Sequence, residues 1–237
     1  MHTMKSLTLF VWFFASLCFA SVVEESSEMR ADSPSIVQGR LSLTSGTPNN
    51  YSDVTAATVV YYTPYNGNKI ALYSGSNWQL LSFSELSVAV PATTSTNFDI
   101  FAYNNSGTVA LETVNWSNDT TRATTLTRQD GVLCKTGALT RRYLGTGRTT
   151  AVSGQTESSE TKRYLWNYYN QLEQRLYKLD STDHSYSTST AFRQYGGTAA
   201  NKVELVVGQT QLVTATLWQN AQSSGATIHC QGIIGYD

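Results

Sequence analysis

From Gln38 onward, apolar and polar positions alternate in short runs separated by small polar clusters. β-Branched and aromatic side chains dominate residues 40–44, 58–62, 69–73, 78–83, 98–103 and 108–114, and each run has the length of one strand. Asn66-Gly67-Asn68, Ser74-Gly75-Ser76-Asn77 and Asn105-Ser106-Gly107 lie between consecutive runs. Such clusters supply the positive φ angles of tight turns, so a hairpin is expected at each and an antiparallel meander overall. Residues 118–131 are polar and weakly patterned. "VLCK" and "RRYLGTGRT" then resume strand character around Thr136-Gly137, and residues 149–161 read as a connection.

The stretch "KRYLWNYYNQLEQRLYKLD" supports two readings. Leu165, Tyr168, Leu172, Leu176 and Leu179 recur at helical steps of three and four, yet Tyr164, Trp166, Tyr168 and Tyr169 crowd its opening, where aromatic density favours strand. No Ser or Thr stands three residues ahead of a Glu or Gln at its start. The aromatic half is read as strand, with a helix over 160–179 as the competitor. Strand-like runs return at 202–208, 211–218 and 227–234. The predicted fold is mainly β, an antiparallel β-sandwich or meander sheets with at most one helix.

Around this core, Lys5 precedes an apolar run from Leu7 to Ala20 that ends in Cys18-Phe19-Ala20, which has the form of a secretory signal and is short for a membrane span. Residues 1–20 are thus signal-like, and 21–37, acidic and serine-rich, read as a disordered linker. Residues 38–148 form a β-rich domain, 149–161 connect, and 162–237 form a second β-rich region, separate from or continuous with the first. No membrane contact is expected of the mature chain.

Composition narrows the partners. Charged residues are 14 % of the 237 positions and the formal net charge is −1, so no field draws in nucleic acid or an anionic surface. Cys134 and Cys230 remain beyond the signal-like segment; they could pair in an oxidising compartment, but two separate buried thiols are the favoured reading.

Residue types that carry catalysis are sparse. The three histidines are His2, His184 and His229. Asp183-His184-Ser185 sets three catalytic types side by side, but neighbours on a strand point to opposite faces and triads assemble from distant positions. His229-Cys230 lacks the second ligand pair of a zinc site, and neither "GGTAANK" nor "GTGRTT" has the spacing of a phosphate-binding loop. Arg141, Arg142 and Arg148 form the densest basic group and read as a solvated strand edge; Glu157 and Glu160 lack apolar surroundings. No enzyme activity, cofactor or metal is expected. Sequons at Asn50, Asn104, Asn115 and Asn118 matter only in a glycosylating host. The surplus is aromatic: Tyr65, Trp78, Trp166 and Tyr169 are the candidate surface contacts, each weighed against a place in the core.

"YYTPYNGNKIALYSGSNWQL", "RQDGVLCKTGALTRRYLGTGRTT" and "RYLWNYYNQ" resemble a family of tailed-bacteriophage virion structural proteins, tail-fibre or head-associated, over roughly residues 40–208. The resemblance implies a virion component that contacts other particle proteins or copies of itself, as a homo-oligomer, and it brings no catalytic residues. The signal-like start departs from it, since such proteins assemble in the cytoplasm. An exported module that binds glycans or a cell surface through its aromatics is the alternative.

Overall fold

The computed structural model describes residues 33–49, 51–182 and 200–214, and every regular element among them is a β-strand. One layer contains β1 (Gly39–Ser42), β3 (Val59–Pro64) and β6 (Leu86–Ala89), antiparallel in the order β1-β3-β6. The hairpin of β4 (Lys69–Tyr73) and β5 (Trp78–Ser82) adjoins it through the chain that leads into β1. Val37 bridges Ile70, the Ala71 N–H donates to the Ile36 carbonyl, and the Gln38 N–H donates to the Lys69 carbonyl.

The facing layer holds β7 (Asn97–Asn105), β8 (Thr108–Asn115), β9 (Leu126–Gln129), β10 (Val132–Lys135) and β11 (Ala138–Arg148) in the order β8-β7-β11-β10-β9. The last residues of β11 run past the end of β10, and there β14 (Leu165–Asn167) takes over the pairing. A third sheet orders β15 (Glu204–Leu205), β13 (Lys162–Arg163), β12 (Thr156–Ser158) and β2 (Val54–Ala57); its β13–β15 pair is parallel.

Alternation along the strands builds the core between the layers. Leu41, Val60, Tyr62, Ile70 and Leu72 from one side meet Phe98, Ile100, Ala102 and Leu144 from the other, all essentially without solvent contact. The opposite faces of β7 and β11 are covered as well: Phe101 and Tyr143 pack under Trp166 and Val206. With both faces buried, β7 carries apolar side chains on each, Phe98, Ile100 and Ala102 on one and Phe101 on the other.

Several expectations need correction. Asn66-Gly67-Asn68 does not close a hairpin between β3 and β4, because the two strands follow one another along the same edge of the entering strand: the Gln38 carbonyl accepts the Tyr65 and Asn66 N–H groups and the Gln38 N–H donates to the Lys69 carbonyl. The Gln38 side chain fills the space at Gly67 and accepts the Lys69 N–H, so residues 65–68 bulge out between two strands that continue along one edge. Of residues 33–37, placed in the linker by composition, Ile36 and Val37 pair with β4, and Ser33 to Ile36 form the turn that leads in. The weakly patterned segment contains β9, and Asp130-Gly131, at φ 49° and 83°, forms the two-residue turn into β10. The connection contains β12. The aromatic half of 162–180 is strand, whereas residues 171–180 have no regular structure and no helix forms there. Of residues 202–208 only β15 is strand, and 211–214 are irregular; the rest of 211–218 and all of 227–234 lie outside the described residues.

Gly145 marks a close approach of β11 to β14 and β1. A Cβ there would lie 2.1 Å from the Trp166 carbonyl oxygen and 2.8 Å from the Leu41 side chain. Gly145→Ala should therefore cost about 3 kcal/mol by forcing β14 off β11, read as a lower urea midpoint with an unchanged slope.

Candidate functional site

Four aromatics were the sequence's candidates, and two of them lie in the segment Trp166-Asn167-Tyr168-Tyr169-Asn170, which makes a group of long-range polar contacts. Asn167 accepts the Leu41 N–H at 2.7 Å and donates to the Leu41 carbonyl at 3.1 Å, reproducing with one carboxamide the two bonds of a neighbouring strand. Asn170 donates to the carbonyls of Val37 and Gly39 at 3.0 and 2.9 Å. Residues 37, 39 and 41 face one way on an extended chain, so two side chains three residues apart close the outer edge of β1. Asn170 sits at φ 51°, a conformation Asn adopts more readily than most residues. Its carbonyl in turn accepts Arg40 Nε at 3.1 Å.

Tyr169 points toward Arg142, which is 1 % exposed. The guanidinium donates to the Pro34 and Ala71 carbonyls at 2.6 and 2.7 Å, to the Tyr169 hydroxyl at 3.3 Å, and lies over the rings of Tyr169 and Trp78. Carbonyl dipoles and π faces take the place of a carboxylate partner. Arg142, Tyr168, Tyr169, Pro34 and the Asp130-Gly131 turn line a cleft of about 300 Å³. Asp130 at its rim accepts the Trp78 indole N–H at 2.9 Å, and this bond holds its carboxyl below the ordinary value. A larger, open concavity of about 740 Å³ lies beside Glu85. The Ser45 hydroxyl, with help from Thr63 and the Gly46 N–H, depresses the Glu85 pKa.

On the other face of β11, Asp99 accepts Arg122 Nε and the Thr146 hydroxyl, both at 2.7 Å, and Thr146 shares a bond with the Tyr143 hydroxyl at 2.6 Å. Arg122 also donates to the Gly208 carbonyl, tying residues 200–214 to the sandwich. Burial lifts the Asp99 carboxyl above its ordinary value, with Arg122 and Thr146 opposing.

The four candidate contacts thus have different fates. Trp78 and Trp166 are buried, the first against Asp130 and Arg142, the second against Tyr143 and Tyr168. Tyr65 and Tyr169 are half-buried; the Tyr65 N–H donates to the Gln38 carbonyl. Trp78 and Tyr169 meet on Arg142, and no contact joins Tyr65 to them. The basic group reads differently from the expected solvated edge. Arg142 is interior, Arg141 binds Glu112 at 3.0 Å, and Arg148 binds Asp119 at 2.7 Å. Asn167, Asn170, Asp99 and Arg142 were not singled out as partners in the sequence. Their one local signal is two asparagines three apart in an aromatic run, with no surrounding turn residues to use them.

Chemically these groups are quiet. Cys134 is buried and unpaired; burial pushes its thiol up to about 11, which keeps it neutral. Burial also raises Tyr143 and Tyr169, so their hydroxyls stay protonated. Among the described residues no three His, Cys, Asp or Glu side chains are grouped to hold a metal. His184, His229 and Cys230 lie outside those residues.

Fold and site together define a mainly-β sandwich protein, closed along one side by a side-chain clasp. Comparison with family models, with curated proteins and with solved structures found no match to this chain.

Two outcomes are expected. Asn167→Leu keeps the bulk but strands the Leu41 N–H and carbonyl, and should cost about 3 kcal/mol in urea unfolding. For Asp99, a raised folded pKa means that its stabilising contribution is fully present below about pH 4, the unfolded value, and is lost as pH rises through the folded value. The stability of the wild type relative to Asp99→Asn should therefore fall as pH climbs from about 4 toward neutrality, measured as urea midpoints across that range.

Proposed function

We propose that this chain is a non-enzymatic structural component of a phage particle, a tail-fibre, tail or head-associated protein acting through protein–protein contacts. The observation that carries the contact role is how the sandwich uses its buried polar groups. Arg142, Asp99, Asn167 and Asn170 are bonded to main chain or to neighbouring side chains that lock elements together, leaving a rigid body whose surface is its working part. The particle setting is supported by the sequence resemblance over residues 40–208. A second reading, an exported module that binds glycans, is favoured by the cleft beside Arg142. Tyr168 and Tyr169 line it half-buried, offering ring faces and hydroxyls of the kind sugars stack on and bond to.

Mass spectrometry of purified particles from the source of the gene should detect this chain at structural stoichiometry. Its absence from intact particles would remove the particle role. Glycan-array binding lost in Tyr168→Ala, with folding retained, would establish the second reading in its place.

A further inference from the structure

The two sides of the sandwich end differently. Along β1 the edge is closed by Asn167 and Asn170, whereas along β8 nothing comparable occurs among the described residues. The Trp116 N–H donates to the Asn97 carbonyl, and β7 and β8 stay in unbroken register from Phe98↔Asn115 to Asn105↔Thr108. Antiparallel alternation then directs the main-chain groups of residues 108, 110, 112 and 114 into β7 and those of Val109, Leu111, Thr113 and Asn115 outward. No side chain or strand takes up these outward groups among the described residues.

β6 of the facing layer comes close beside β8 without pairing with it, and other usual protections of an edge are missing. β8 has eight residues, against four in β6 and β9 and five in β5. It has no proline and no bulge. Its single charge, Glu112, is bound by Lys135 and Arg141 of its own chain, both at 3.0 Å, and so does not repel an approaching strand.

We infer that β8 is a self-association edge, on which a second copy of this chain adds its own β8 antiparallel about a two-fold axis at Leu111. The occupant follows from the residues that would face each other. An axis at Leu111 sets Leu111 against Leu111, Val109 against Thr113 and Ala110 against Glu112. Shifting it to Glu112 would oppose two carboxylates, and shifting it to Thr113 would set Leu111 against Asn115. Val109 and Leu111 belong to the core between the layers, so the pairing continues that core from one copy into the next and covers the half-buried Leu111. The inference rests on the contact role proposed above and names the partner for it.

Sedimentation of the purified full chain tests it. Between about 1 and 100 µM, the range suited to a small interface, the mass should double. Thr113→Pro removes an N–H that points away from β7, so it should abolish the doubling while leaving the circular-dichroism spectrum unchanged. Ala110→Cys with Glu112→Cys should give a covalent dimer on oxidation, since these positions face each other across the axis; this readout decides the matter if the proline variant fails to fold. A wild type that stays monomeric throughout, a folded proline variant that dimerises undiminished, or a cysteine pair that never cross-links would overturn the inference. A monomeric chain that is nonetheless found in particles sinks the β8 edge alone, and a β8 dimer absent from particles sinks the particle role alone.

Discussion

Four hydrogen bonds between two asparagine side chains and the main chain of residues 37–41 hold the sandwich shut. A sheet that ends beside a packed core leaves donors and acceptors that water cannot reach, each costing about 1–3 kcal/mol if unpaired. Together that approaches the whole stability of a typical domain, about 5–15 kcal/mol. The fold meets the requirement with carboxamides, which carry both a donor and an acceptor on one short side chain. Because β14 pairs with β11 in the facing layer, the same short segment belongs to one sheet by its backbone and to the other by its side chains.

The buried charges extend this arrangement. Arg142 joins the entering strand and β4 to β11 through two carbonyls, and Asp99 with Arg122 joins residues 200–214 to the other face. Each replaces what would be a gap in apolar packing with directed bonds, which define one alignment of the layers where apolar contact alone would tolerate several. Burial keeps the titratable hydroxyls and the Cys134 thiol neutral, so the interior behaves as framework.

Strands with clear alternation and a two-residue turn were legible. β4 matches its predicted bounds, and the turns at Ser74–Asn77, Ser106-Gly107 and Thr136-Gly137 join the strands on either side of them. β9 and β12 were not legible, because three or four residues carry too little pattern to stand out from polar surroundings. Among the candidate contacts, aromatic character was visible but burial was not: Trp166 and Tyr169 stand three apart, yet one is interior and the other half-exposed. Arg142 looked like surface because Arg141 beside it is surface; on a strand, adjacent residues face opposite ways, and which face meets the core depends on the partner layer.

By itself, the chain's order of residues determined the class of fold and the placement of most turns, since period-two alternation and positive-φ turn residues act over a few neighbours. Tertiary structure alone decided which strands pair, which aromatics are buried, and what Asn167, Asn170 and Arg142 are for. Those outcomes rest on partners 30 to more than 130 positions away in sequence, where no local pattern reaches. Asn66-Gly67 shows the boundary between the two: its turn chemistry was plain, but a strand arriving from upstream, pairing with β3 and β4 along one edge, turned the expected hairpin into a bulge.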